Sequence, residues 1–219
     1  MKNHFSQRLR PLSAALAALA SVAVLAQQPL PPRPPAGPAG ATEGEVKIIK
    51  LSDLGHDMAQ KAKGVDGKTS QKSKIWGVFD VSFATAPEWI DSLTVTYTVV
   101  MMKPQGQLKP GEKSISVFQT SVEYADIEQG RDHRAGAVLK PAALKRFGKV
   151  IGFAAEISVG GRVVAAESQT DGPLRGQEKW WANPKIMEGA NVARRDGYLL
   201  DRMKTPFQLV DIDTYEVSR

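Results

Sequence analysis

The sequence contains no cysteine among its 219 residues. Disulfide bonds, which brace many exported domains, are therefore excluded, and so are cysteine nucleophiles. A hydrophobic core has to hold the fold together, and the chain is long enough to build one domain around such a core.

Histidine is scarce as well, since only His56 and His133 lie beyond the N-terminal leader. Each stands next to an aspartate, but adjacent side chains on an extended strand point to opposite faces, so neither pair is arranged to bind a metal jointly. The sequence also has no Gly-x-Ser-x-Gly elbow and no phosphate-binding glycine loop. We therefore predict a protein that is not an enzyme and has no catalytic residues, no cofactor and no metal ligands.

Strong charge is also missing from the mature chain. The formal net charge of +6 includes Lys2, Arg8 and Arg10 of the leader, and it falls to +3 when these three are removed. The lysines between residues 61 and 74 are typical of a solvated loop and a guarded sheet edge. Lys140–Arg146 is the one basic run close to an aromatic residue. Because nucleic-acid binding needs a concentrated basic surface, we predict no nucleic-acid partner.

The N-terminus has the layout of a secretory signal. A basic start is followed by the apolar stretch Leu12–Leu25, which is too short to span a bilayer comfortably, and small residues precede Gln27. We predict a signal peptide over residues 1–26, cleaved after Ala26. The chain is then exported to the periplasm or cell surface and keeps no membrane span. The alternative is that the leader stays uncleaved as an anchor.

Residues 27–44 form a segment rich in proline and glycine. Proline removes backbone donors and fixes φ, so this segment cannot build a ladder or a helix. We predict an extended tether with a polyproline II stretch that contains Pro31, Pro32, Pro34 and Pro35. Two interpretations stay open, namely docking along a neighbouring subunit and a mobile linker without a partner.

Two alternating runs dominate the middle of the chain. In Ile75–Phe83 the apolar residues share one side of a period-2 pattern, and in Leu93–Met101 large apolar residues alternate with threonines. This pattern predicts two half-buried strands joined by the connection Ala84–Asp91, in a sheet with one dry face and one wet face.

Shorter patterns predict the remaining elements. Further strands are expected at Val46–Leu51, Ser114–Tyr124, Arg131–Leu139 and Val210–Val217. The connection after the first strand is compatible with a short helix around Leu54–Lys63. Pro141 at a first helical position and Gly148 as a stop signal predict a short helix within Lys140–Phe147.

The clearest hairpin covers residues 150–168. A Gly-Gly pair supplies a turn with positive φ, and both flanking runs alternate. The predicted register places Ile157 opposite Val164 and Ala155 opposite Ala166, which makes one face apolar on both strands.

Seven or eight short strands with few helices predict an all-β fold. We expect an immunoglobulin-like antiparallel β-sandwich with one or two short helices, which forms a single domain over residues 45–219. The Cys-Trp-Cys core of antibody domains is missing, so only the architecture is predicted. A barrel built from the same strands is the alternative.

Tryptophans provide the best candidates for contact with a partner. Exposed aromatic side chains can fill a partner's pocket or stack on sugar rings, and the competing interpretation is that each plugs the rim of the core. The rim interpretation is favoured for Trp89 and Trp180. Because adjacent residues of an extended chain face opposite ways, Trp181 is expected to look outward. The interface candidates are therefore Trp181, Trp89 and the four prolines of the tether.

Three stretches in order carry a family resemblance: Trp76–Met102, the Gly-Gly hairpin leading to Glu178–Trp181, and the closing Lys204–Phe207. Together they resemble a family of exported pilus-like proteins from Verrucomicrobia such as Akkermansia. The resemblance implies an immunoglobulin-type sandwich with a long N-terminal segment. It also implies a structural or assembly role in a type IV pilus-like system, as a homo-oligomer or with other envelope proteins.

The sequence departs from a true pilin, because no hydrophobic pilin helix with Phe and Glu follows the leader. An accessory or coat subunit therefore fits better than a polymerising shaft subunit. The alternative function is a carbohydrate-binding module for mucin-type glycans.

Overall fold

The structure is a computed structural model that describes residues 45–54, 56–60, 74–208 and 214. The predicted signal peptide, the tether with its four prolines, and the predicted last strand lie outside the described residues, apart from Thr214. The backbone N–H of Thr214 donates to the Arg134 carbonyl at 2.9 Å, and its Oγ1 accepts from the Arg134 N–H at 2.7 Å.

The described part of the chain is mostly β-strand, and its strands form one hydrogen-bonded sheet. The strands are β1 (Val46–Leu51), β2 (His56–Gln60), β3 (Lys74–Met102), β4 (Ile115–Leu139), β5 (Lys149–Val159), β6 (Arg162–Thr170), β7 (Val192–Arg194) and β8 (Leu199–Asp201). The α-helices are α1 (Pro141–Arg146) and α2 (Pro184–Met187), with 3-10 turns at Gln105–Gln107, Gly172–Leu174, Trp180–Ala182 and Arg202–Lys204. The all-β prediction is confirmed.

Two unusually long strands organise the sheet, with 29 residues in β3 and 25 in β4. The expected connection Ala84–Asp91 is wrong, because β3 continues through it, and Arg131–Leu139 is the second half of β4 rather than a separate strand. Pairing with partner strands keeps these segments extended. The register between β3 and β4 shifts at two places, and these shifts accommodate the residues that were predicted to form the connection.

The long strands divide their partners between two layers, which gives the sandwich-like architecture. The first half of β3 pairs with β1, β2 and the second half of β4, whereas its second half pairs with β5 and the first half of β4. Phe79 of the first half lies edge-on to Phe153 of β5, with ring centroids 5.1 Å apart. Strands that pass from one layer to the other through bulges are a known way to turn the corner of a sandwich.

On one side of the sandwich, β1 of the first layer lies next to β6 of the second layer. Gln169 of β6 donates from Nε2 to the Leu51 carbonyl at 3.2 Å and accepts from the Leu54 N–H at 2.9 Å. No backbone ladder joins β1 to β6 among the described residues, so a side chain bridges this side.

The short elements give one confirmation and one correction. The helix predicted within Lys140–Phe147 is confirmed as α1, and Gly148 follows it with φ of +87°. The helix around Leu54–Lys63 is wrong, because His56–Gln60 forms β2 against the start of β3. That pairing satisfies the backbone groups that a helix would have bonded internally.

The hairpin of β5 and β6 is confirmed, but its register is not. The pairs are Ile157 with Ala165 and Ala155 with Glu167, because a bulge inserts Val164 between two paired residues. The bulge turns Val164 into the core at 5% exposure and leaves Val163 half exposed at 50%.

No helix of the described residues has the length and apolar character needed to cross a membrane.

Candidate functional site

The corner is the place where β3 and β4 pass from one layer to the other, and it consists of Thr85–Trp89 and Glu128–His133. Between two successive pairs, β3 uses four residue steps from Thr85 to Trp89 while β4 uses two. The excess backbone includes Pro87, which has no N–H to contribute to a ladder and is tolerated at a bulge for that reason.

The Thr85 hydroxyl connects both strands of the corner. Its Oγ1 donates to the Glu128 carbonyl at 2.7 Å, accepts from the Gly130 N–H at 3.2 Å, and lies 2.9 Å from Nε2 of His133. Because the hydroxyl proton is directed at Glu128, the His133 Nε2 carries the hydrogen of that contact. A single buried side chain therefore replaces several ladder bonds that the bulges remove.

His133 is buried at 4% exposure beneath this network. Its ring centroid lies 5.1 Å from that of Phe83, and Gly130 leaves the room for it, since a Cβ at that glycine would stand 2.6 Å from the ring. Burial lowers the pKa of His133, while the negative charges of Glu128 and Asp132 act in the opposite direction. The neutral imidazole is thus the form that suits the corner.

A surface hollow of about 450 Å³ opens at the corner. Its lining includes Glu45, Lys47, Thr85, Ala86, Gly130 and Arg131. Glu45 is the first described residue, and its carbonyl accepts from the Ala86 N–H at 2.8 Å. Glu45 is therefore held at the edge of this hollow.

Trp89 lies at the end of the corner with 49% of its surface exposed, whereas the next residue, Ile90, is buried at 1%. The alternation of a strand explains this contrast, because neighbouring side chains leave opposite faces. The rim interpretation favoured for Trp89 accounts for the buried half of the side chain but not for the exposed half. An indole half in contact with water is the kind of side chain that a partner's pocket can cover.

The other two candidate tryptophans, Trp180 and Trp181, lie in a 3-10 turn and not in extended chain, so the argument from opposite faces does not apply to them. Trp180 is fully buried in a second apolar cluster with Val100 and Leu174, and Trp181 is half-buried with its ring edge-on to Trp180 at 5.8 Å. Gly152 makes room for Trp180, whose ring would stand 3.0 Å from a Cβ there.

The structure places the interface candidates in different settings. Trp89 belongs to the corner, Trp181 packs beside the second apolar cluster, and the four prolines lie outside the described residues. The network of Thr85, Gly130 and His133 was missed, because residues 84–91 were interpreted as a connection. A glycine inside a strand pattern is the signal that could have indicated it, since such glycines mark bulges.

Across residues 45–54 and 75–208, whose side chains the structure describes, no three side chains of histidine, aspartate or glutamate come together as a metal ligand set. The corner offers a polar network, a hollow and one exposed aromatic ring, which are means of recognition by contact.

Comparison with known proteins gives a family and a fold. A family model matches residues 39–219. A crystal structure of a protein from Akkermansia muciniphila aligns with 80% of this chain and 94% of its own chain, at a TM-score of 0.58 and 21% sequence identity. That likeness shows a shared fold, and the source organism agrees with a family from Verrucomicrobia. No curated protein matches the chain.

Proposed function

The chain belongs to the family that its residues 39–219 match, and on that premise we propose that it is an exported, non-catalytic subunit of a pilus-like or pilus-associated assembly. It acts through protein–protein contacts in the periplasm or at the cell surface. The partner is a second copy of the chain or another envelope protein. The family match and the resemblance of Trp76–Met102, the hairpin region and Lys204–Phe207 support this role.

One observation carries the proposal, namely that the corner combines the exposed Trp89 with a hollow lined by Glu45, Lys47 and Arg131. Burying the exposed part of an indole contributes strongly to association, because tryptophan is enriched among the few residues that dominate interface energies. The hollow offers both signs of charge through Glu45, Lys47 and Arg131, which gives orientation to a docked chain.

The tether supplies the second part of the mechanism. Residues 27–44 precede Glu45 in the sequence, and Glu45 lines the hollow. We propose that the tether docks on a neighbouring copy. Its proline-rich composition lowers the entropy lost on docking, since proline restricts the free chain.

Deletion of residues 27–44 tests the assembly mechanism. In light scattering, the chain beginning at Glu45 should have a monomer mass where the longer chain has an oligomer mass. Mass spectrometry of the N-terminus of the protein from native envelope checks cleavage after Ala26 in the same preparation. An unchanged mass after the deletion would remove the tether from the mechanism.

The exposed ring of Trp89 also favours a second candidate, a carbohydrate-binding module. Aromatic faces stack on sugar rings, and the earlier candidate Trp181 is half-buried beside Trp180. If the module binds glycans, Trp89→Ala and Trp181→Ala should each shorten retention on immobilised mucin-type glycans. Absence of retention by the unaltered protein would dispose of this candidate.

A further inference from the structure

A second hollow, which shares no lining residue with the corner, opens where β3 ends and α1 ends. Its volume is about 610 Å³, and the residues that matter are Lys103, Lys109, Glu112, Lys145, Arg146 and Arg195. Ligand sites for small molecules range from roughly 300 to 1,000 Å³, so the space suits a molecule larger than a bare ion.

The lining is strongly basic. It contains five cationic side chains and a single carboxylate, that of Glu112. Lys103 already pairs with this carboxylate, with Nζ 2.8 Å from Oε2. The other four cations form no ion pair with any carboxylate of the described residues. Positive charge therefore accumulates in a concave surface, where it is more effective than on a convex one.

Both arginines of the lining are held on a rigid aromatic platform. The guanidinium carbons of Arg146 and Arg195 lie 5.1 and 5.3 Å from the ring centroid of Phe147. Phe147 is itself fixed by Phe118 and Tyr198, whose ring centroids each lie 5.4 Å from its own. Stacking of this kind orders the side chains before any ligand arrives, which reduces the entropy lost on binding.

Arg195 shows an unmet hydrogen-bonding need. Its backbone N–H donates to the Val117 carbonyl at 2.8 Å, which anchors the residue, but its side-chain Nε is buried without a hydrogen-bond partner. Buried donors are normally satisfied, so this Nε is an exception to the usual pattern. The run Lys140–Arg146, which stands out in the sequence, supplies two of the cations.

We propose that this hollow is a binding site for a monosaccharide-sized ligand that carries a sulfate or phosphate group. Arginine forks match the oxygens of a tetrahedral oxyanion, and the lysines add point charges around it. The site goes beyond the proposed assembly function, because it uses other residues and requires no second copy of the chain.

Isothermal titration calorimetry of the purified chain tests the site directly. The probes are N-acetylglucosamine 6-sulfate and glucose 6-phosphate, with unmodified N-acetylglucosamine, inorganic sulfate and acetate as comparisons. We expect saturable binding of at least one of the two esters and none of the unmodified sugar. Tighter binding of an ester than of inorganic sulfate identifies the sugar as part of the ligand, whereas equal binding would overturn the proposal of a monosaccharide-sized ligand.

A pair of matched double variants locates the binding. Lys145→Ala with Arg146→Ala should weaken binding of the ester by about tenfold or more, because two charged contacts are lost. Arg134→Ala with Lys185→Ala removes the same charge from exposed positions elsewhere and should leave the affinity unchanged. Lys145→Ala alone, at an exposed position, gives a smaller loss without touching the Phe147 platform.

Three results would overturn the site. The first is no saturable heat with either ester up to about 10 mM, a concentration well above millimolar dissociation constants. The second is equal weakening by both double variants, which would indicate general charge attraction. The third is binding of acetate as tight as that of the esters.

Discussion

The regular part of the β3–β4 pair and the corner differ in almost every respect. From Ser92 to Met102 the two strands pair without a break, whereas the corner interrupts the same ladder on both sides of Thr85. The regular part buries Tyr97 and Val99 completely, but the corner leaves Trp89 half exposed and also contains a hollow. We therefore infer that the regular ladder stabilises the fold and that the corner offers contacts to a partner.

The largest expected effect is a core truncation in β5, whose Phe153 pairs with Val99 of the regular part. Phe153 is fully buried, lies edge-on to Phe79 and stacks with Tyr97 at 6.5 Å. Phe153→Ala should lower the free energy of unfolding by about 3–5 kcal/mol, through lost burial and a residual cavity. Urea denaturation measures it, with Val163→Ala at an exposed position as the control. A loss no larger than that of the control would contradict the assignment of stability to this region.

The second largest effect is expected from Thr85→Val, which measures how much the Thr85 network stabilises the corner. Thr85→Val removes the hydroxyl but keeps the shape, and it leaves the Gly130 N–H without its acceptor and removes one of the contacts of His133. We expect a loss of about 1–3 kcal/mol in urea denaturation, the usual range for unsatisfied buried groups. Thr98→Val in the regular ladder is the matched control and should cost less, because Thr98 Oγ1 accepts one long bond of 3.4 Å. Equal losses would mean that the corner has no special network.

The pH dependence of stability isolates His133. Its pKa in the folded protein lies below the ordinary 6.5, so the unfolded chain binds a proton more readily. Stability should therefore be complete above pH 6.5 and decrease as the pH falls from 6.5 towards the lowered pKa. His133→Gln, followed by thermal unfolding across this range, should flatten that decrease. The carboxylates of Glu112 and Asp171, whose pKa values are also lowered, act only at more acidic pH.

The smallest effect on stability is expected at Trp89. Because half of its surface is exposed, Trp89→Ala should change the free energy of unfolding by only about 0.5 kcal/mol, as surface changes usually do. Urea denaturation beside Phe153→Ala makes the contrast between the two regions quantitative. A loss comparable to that of Phe153→Ala would show that Trp89 belongs to the core.

Local alternation in the sequence was sufficient to predict much of the fold. The strand Val46–Leu51 was predicted with its observed bounds, and the apolar sides of Ile75–Phe83 and Leu93–Met101 correspond to buried residues except at Ile75. The helix α1 followed from Pro141 and Gly148. These features depend on neighbours in the chain, which a sequence pattern records directly.

The features that were missed depend on partners far along the chain. Ala84–Asp91 looks like a connection, yet pairing with β1 and β4 keeps it extended. The bulge at Val164 shifted the hairpin register by one residue, and nothing in the alternation of that strand indicates it. The corner network joins Thr85 to residues more than 40 positions away, so no local pattern could predict it.

The central claim is that the protein works by contact through its corner, and light scattering of the Trp89→Ala variant tests it most directly. The account predicts that the unaltered chain has an oligomer mass, that Trp89→Ala at the same concentration has a lower mass, and that Val163→Ala retains the original mass. An unchanged oligomer in Trp89→Ala, or a monomer in the unaltered chain that also captures no envelope protein, would contradict it.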